Sequence, residues 1–152
     1  MPFRAKYYVY WADTDAAGIA HFTSFLRLVE RAEEDFYREN GILHYHSIAP
    51  RREVFITYTA PLKRGDVAVV ELWLDEARTR AIRYRFRIIN ETTGKNAAEG
   101  YLVFTCVSNE GGELRAIPCL KNLLMLGEGP STRLILKEPN ASGFIIKSNG
   151  GF

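Results

Sequence analysis

Two aspartates, Asp13 and Asp15, stand one residue apart and are followed by three small residues, Ala16, Ala17 and Gly18. The run from Tyr10 to Phe22 passes from strand character through this short loop into a helical pattern. A carboxylate at such a junction meets a helix N-terminus, whose free N–H groups and dipole favour negative charge. That geometry can do two things at once. It keeps a nearby carboxylate ionised as base or nucleophile, and it presents N–H groups to an oxyanion developing on a carbonyl oxygen. The small residues let a substrate come close to the backbone. The same aspartates could instead simply cap the helix, the commoner use of aspartate before an apolar periodic run.

The flanking elements follow from the spacing of apolar residues. Residues 4–11 are aromatic and β-branched and predict a strand. From Phe22 the period changes: Phe22, Phe25, Val29, Ala32 and Phe36 form one stripe on a helix of about five turns. Asn40-Gly41 supplies the left-handed stop such a helix needs. Strands are expected over 52–60, 67–76, 81–90 and 96–107. The third of these alternates Ile82, Tyr84, Phe86 and Ile88 with Arg83, Arg85 and Arg87. Pro118–Leu126 reads as a short helix with Pro in its first turn. The order is thus strand, one long helix, then an antiparallel meander. A helix that is apolar along one stripe must be covered, so an α+β architecture follows, its sheet curled around the central helix.

Composition bounds the rest. With 152 residues, 47% hydrophobic and 25% charged, the chain is one globular domain of ordinary make-up. A formal net charge of +2 is too mild for a nucleic-acid binder. Basic charge is carried by 14 Arg against 6 Lys, a bias that suits an anionic ligand or reflects composition alone. No signal-peptide core and no membrane-length apolar run is present, so a cytoplasmic protein is expected. Cys106 and Cys119 read as too few and too far apart for a metal cluster or a disulfide framework. His44 and His46 share a face but have no nearby Cys, Asp or Glu to complete a metal set. Arg64-Gly65-Asp66 reads as a hairpin turn. There is no Gly-x-Ser-x-Gly elbow and no phosphate-binding glycine pattern, which removes support for serine-hydrolase, hydride-transfer or phosphoryl-transfer chemistry.

The run D-T-D-A-A-G-I-A-H-F-T-S-F-L-R-L-V-E-R-A, residues 13–32, resembles the signature of the 4-hydroxybenzoyl-CoA thioesterase family. Within it, the similarity is to the short-chain acyl-CoA thioesterases of bacterial Tol-Pal operons, and a comparable R-A-I-P segment stands at Arg115–Pro118. The resemblance covers residues 4 to 125 and implies the hotdog fold over residues 1–126, with 127–152 a C-terminal extension that is either a terminal hairpin or disordered. It implies hydrolysis of an acyl-CoA thioester, without a cofactor, by a homodimer or homotetramer. Non-catalytic acyl-CoA binding and hotdog dehydratase activity are the alternatives. By position, Asp15 is the catalytic carboxylate and the backbone N–H of Phe22 polarises the thioester carbonyl. Gly18 holds the loop, and Trp11 stands near the acyl pocket. His21 sits one residue earlier than the family's histidine. One residue turns a helical side chain by about 100°, so His21 is expected to line the pocket more than to shuttle protons. Glu30 matches the family and reads as a subunit-interface or supporting group. Arg78 and Arg80, at a strand turn, are expected to contact the coenzyme A phosphates, while Arg83, Arg85 and Arg87 read as a solvated sheet face.

Overall fold

The computed structural model describes residues 2–43, 49–119 and 128–135, the last segment by its backbone path. Strand β1 (Phe3–Tyr8) leads through a 3-10 turn at Trp11–Asp13 to helix α1 (Phe22–Glu39). Phe25, Val29, Ala32 and Phe36 of the anticipated stripe are buried, as is Leu28 beside them. Phe22 departs from it. At the helix start its ring lies 62% exposed, because the stripe turns inward only from the second turn. Asn40 caps the helix and Gly41 follows at φ +69°, as the Asn-Gly pair requires.

The strands that follow are β2 (Arg51–Tyr58), β3 (Val67–Arg78), β4 (Ala81–Asn90) and β5 (Lys95–Thr105). They form an antiparallel sheet in the order β1-β3-β4-β5-β2. A meander from β2 onward was the expectation, but only β3, β4 and β5 make one. β2 crosses to the far edge and pairs with β5, with Ile56 opposite Gly100. Gly100 permits this closeness: a Cβ there would lie 1.9 Å from the Phe55 carbonyl oxygen.

Alternation sorts the faces. Ile82, Tyr84, Phe86 and Ile88 are fully buried beneath α1, and Arg83, Arg85 and Arg87 stand on the outer face. Arg83 does more than meet water there, since its guanidinium lies 4.7 Å from the Tyr101 ring centroid and pairs with Asp75. Edge strand β2 is exposed along most of its length, with Val54, Phe55 and Tyr58 all more than two-fifths accessible.

Beyond β5, a hairpin of β6 (Val107–Glu110) and β7 (Glu113–Ala116) folds the chain back on itself. This corrects the reading of the cysteines. Cys106 and Cys119 are 13 residues apart in sequence, but the hairpin brings their Cα atoms to 5.2 Å and they form a disulfide. Both flank the hairpin's base, and their N–H groups donate to the carbonyls of Arg80 and Thr79. Residues 120–126 of the expected short helix, and His44 and His46, lie outside the described residues. In the extension, β8 (Glu128–Ile135) runs parallel to β3 and pairs with it between Leu74 and Arg78, continuing the edge begun by β1.

Candidate active site

The loop between β1 and α1 is pinned from several sides. The Val9 N–H donates to the Asp66 carbonyl and the Val9 carbonyl accepts the Gly65 N–H, while the Ala20 N–H donates to the Leu62 carbonyl at 2.7 Å. Asp13 is buried and bonded through both its side chain and its backbone. Its carboxylate accepts the Tyr10 N–H at 2.9 Å, and its carbonyl accepts the His21 N–H and the Ser24 hydroxyl, each at 2.8 Å. Asp13 therefore fastens the 3-10 turn to the helix without capping α1. That cap is His21, whose Nδ1 accepts the Thr23 N–H at 3.3 Å. Its ring also stacks at 4.3 Å on Phe22. A one-residue shift from the family pattern thus makes this histidine a capping group.

Asp15 has the opposite surroundings. It is exposed, and its Oδ1 accepts the Ala17 N–H at 2.8 Å while its backbone closes a tight loop with Gly18 and Ile19. Gly18 sits at φ +76°, a conformation that a side chain would strain. Asp15 Oδ2 has no hydrogen-bond partner among the described residues. The Phe22 N–H, first of the helix, likewise has no acceptor among them. The Tyr58 hydroxyl donates to the Phe22 carbonyl at 2.7 Å and fixes the helix start against β2. Tyr8, Tyr10, Trp11 and Phe22 are each at least 60% exposed in this part of the chain.

A cavity of about 410 Å³ opens along the seam between α1 and β2. Leu26, Glu30, Glu33, Glu34 and Tyr37 line it from the helix, and Ala49, Pro50, Arg51, Val54 and Leu102 line it from the sheet side. Neither Trp11 nor His21 belongs to this lining. Glu33 is the polar residue that sequence reasoning missed. It lies on the apolar stripe, four residues after Val29 and three before Phe36, and that misplaced charge was its only signal. The Glu33 carboxylate accepts the Tyr37 hydroxyl at 2.5 Å and a guanidinium N–H of Arg51. Tyr84 adjoins Tyr37. Burial, then Tyr84 and Glu33, raise the phenol pKa of Tyr37, and burial, then Glu33, does the same for Tyr84. Both phenols stay protonated.

Arg78 and Arg80 lie elsewhere. Asp15 is beside the turn that begins β3, and these arginines are at or beyond the strand's other end, roughly 35 Å of extended chain away. Arg78 lines a cleft of about 180 Å³ together with Arg52, Arg83, Glu53 and Glu76, its Nε–H donating to Glu76 at 2.5 Å, and Arg80 does not contribute to it. Arg52 was not anticipated. The other two arginines of this cleft are 26 and 31 residues away in sequence, so no local pattern marks it.

The sequence profile of the Thioesterase-like superfamily matches residues 9–125. The chain belongs to that superfamily. It is 30% identical over 122 residues to the acyl-CoA thioester hydrolase YbgC of Escherichia coli O6:H1, an alignment covering 76% of this chain and 90% of YbgC. Among solved structures, the 4-hydroxybenzoyl CoA thioesterase of Pseudomonas sp. strain CBS-3 superposes with a TM-score of 0.72 at 18% identity, covering 83% of this chain and 99% of that one. The 1,4-dihydroxy-2-naphthoyl-CoA thioesterase Slr0204 of Synechocystis gives 0.68 at 22% identity, covering 78% and 90%. This superfamily member therefore has the hotdog fold and is a thioester hydrolase. No helix among its described residues is long and apolar enough to cross a membrane.

Proposed function

We propose that the chain hydrolyses acyl-CoA thioesters to the free acid and coenzyme A, with Asp15 as the reacting carboxylate. The observation that carries this reading is the pair of open groups on one loop: Asp15 Oδ2 and the Phe22 N–H. The carboxylate attacks the carbonyl carbon to give a mixed anhydride, which water then hydrolyses, or it takes a proton from the attacking water. By either route the carbonyl oxygen gains negative charge, which the Phe22 N–H receives, and the coenzyme leaves as a thiolate that takes up a proton. Gly18 shapes the loop, Trp11 offers an exposed ring to the substrate, and His21 serves by holding the helix start in place. Thiol release from acyl-CoA substrates tests the activity. Tight binding without release would instead indicate a sensor.

Two copies are needed for one complete site. The β2 edge carries unpaired backbone groups and exposed apolar side chains, and an antiparallel pairing of two such edges would cover both. That pairing sets the Arg51–Arg52 end of one strand beside the Tyr58 end of the other. It carries the second copy's arginine cleft toward this chain's Asp15. Light scattering should therefore report a homodimer, or a tetramer built from dimers, and a monomer at working concentration would refute the arrangement.

In that assembly Arg78 and Arg80 meet the phosphates of the coenzyme, Arg78 from within the cleft. Replacing both with Ala should raise KM about tenfold with little change in kcat, the loss expected for a charge-assisted contact at an exposed site. The effect should vanish on an acyl-pantetheine thioester, which lacks the nucleotide. An equal rise on both substrates would count against a phosphate role.

A further inference from the structure

We propose that the cavity between α1 and β2 holds the acyl chain, and that Glu33 and Arg51 in its wall select acyl groups with an uncharged, hydrogen-bonding terminus. This rests on the thioesterase reading of Asp15 and Phe22 and adds the class of acyl group. The cavity's position follows from two contacts that tie helix to strand. Near the helix start, Tyr58 bonds to the Phe22 carbonyl and packs edge-on against Phe25 at 5.0 Å. Three turns further on, Arg51 bonds to Glu33. The cavity of about 410 Å³ runs along this seam from Leu26 past the Glu33–Arg51 pair to Tyr37 and Ala49. An acyl chain whose carbonyl sits at the Phe22 N–H, and which runs along the helix, passes Leu26 after about 6 Å and reaches Glu33 after about 16 Å.

The chemistry at that pair is unlike a plain alkyl pocket. Leu26, Val54 and Leu102 line the cavity's apolar part, and Glu33 and Arg51 line its polar part. Glu33 is 2% exposed, and a buried ion pair is commonly replaceable by apolar residues without loss of stability. Packing alone does not ask for a carboxylate here. Arg51 gives one N–H to Glu33 and still leaves 35% of its side-chain surface accessible, so its fork has donors to spare. A terminal hydroxyl can accept from Arg51 and donate to Glu33. A methyl terminus would displace water from both without replacing its bonds. A terminal carboxylate would add negative charge beside Glu30 and Glu33, with Arg51 already paired to Glu33 and Glu34 already paired to Arg38.

The test uses the full chain and three acyl-CoAs of equal length: unsubstituted, ω-hydroxy and ω-carboxy. For wild type, kcat/KM should be about tenfold higher for the ω-hydroxy substrate than for the unsubstituted one, and lowest for the ω-carboxy substrate. Glu33→Gln, checked for folding by circular dichroism, should shrink the ratio of ω-hydroxy to ω-carboxy activity. An alkyl preference in wild type, or an unchanged ratio in the folded variant, overturns the proposal. The wild-type ranking needs no variant to fold. If no substrate releases thiol, the hydrolysis reading fails by itself, and calorimetric affinities for the same three ligands decide the pocket by the same ranking.

Discussion

Asp15→Ala should lower kcat on an acyl-CoA by roughly two to four decades while KM changes little. A thioester is already an activated acyl group. Its hydrolysis needs a positioned attacker and a place for the oxyanion, and the carboxylate acts mainly in the transition state, whichever route it takes. Asp15 is exposed, so its removal leaves no buried partner unpaired, and the protein should fold normally. Asp13→Ala is the matched comparison. It deletes the acceptor of the Tyr10 N–H in a buried turn and should reduce stability by about 0.5–2 kcal/mol, the range for losing such a cap, with kcat preserved in the folded fraction. Circular dichroism and thiol release on both variants separate the two roles. Near-normal kcat in folded Asp15→Ala, together with loss of activity in Asp13→Ala, would exchange the assignments.

Arg51→Ala should be strongly destabilising although Arg51 is partly accessible. Glu33 has a side chain only 3% exposed, and its carboxylate would keep the Tyr37 hydroxyl but lose its charge partner. Stranding a buried charge costs several kcal/mol. Arg51 itself is about one-third exposed, so solvent already screens part of the pair and a loss of about 3 kcal/mol is expected. For a domain of this size that is a fall in Tm of roughly 6–12 °C. Adding Glu33→Gln to Arg51→Ala removes the stranded charge, and the double variant should recover a good part of the loss. If the single variant melts like wild type, or the second change deepens the loss, the pair does not hold the helix to β2 as described.

Much of this protein was legible along the chain. The strand–loop–helix junction around Asp15, the buried stripe of α1 and the alternation of β4 each arise from backbone geometry and one-sided burial within a few residues. The Asn40-Gly41 stop is equally local. Other features depended on which distant segments meet. β2 lies beside β5 and not β3, Arg51 closes on Glu33 from 18 residues away, and Cys106 finds Cys119 across a hairpin. His21 took the capping role anticipated for Asp13, because the 3-10 turn, invisible in the spacing, aims Asp13 inward and seats His21 at the helix cap. Arg78 joined Arg52 and Arg83 in a cleft far from Asp15 because β3 runs the length of the sheet between them. Loop-closure entropy grows only logarithmically with chain length, so separation in sequence says little about which pairing wins. Local periodicity determined α1, the strands β1 to β5 and the place of the loop between β1 and α1. The competition among long-range contacts, decided only in the packed sheet, determined the cavity, its buried charge and the arginine cleft.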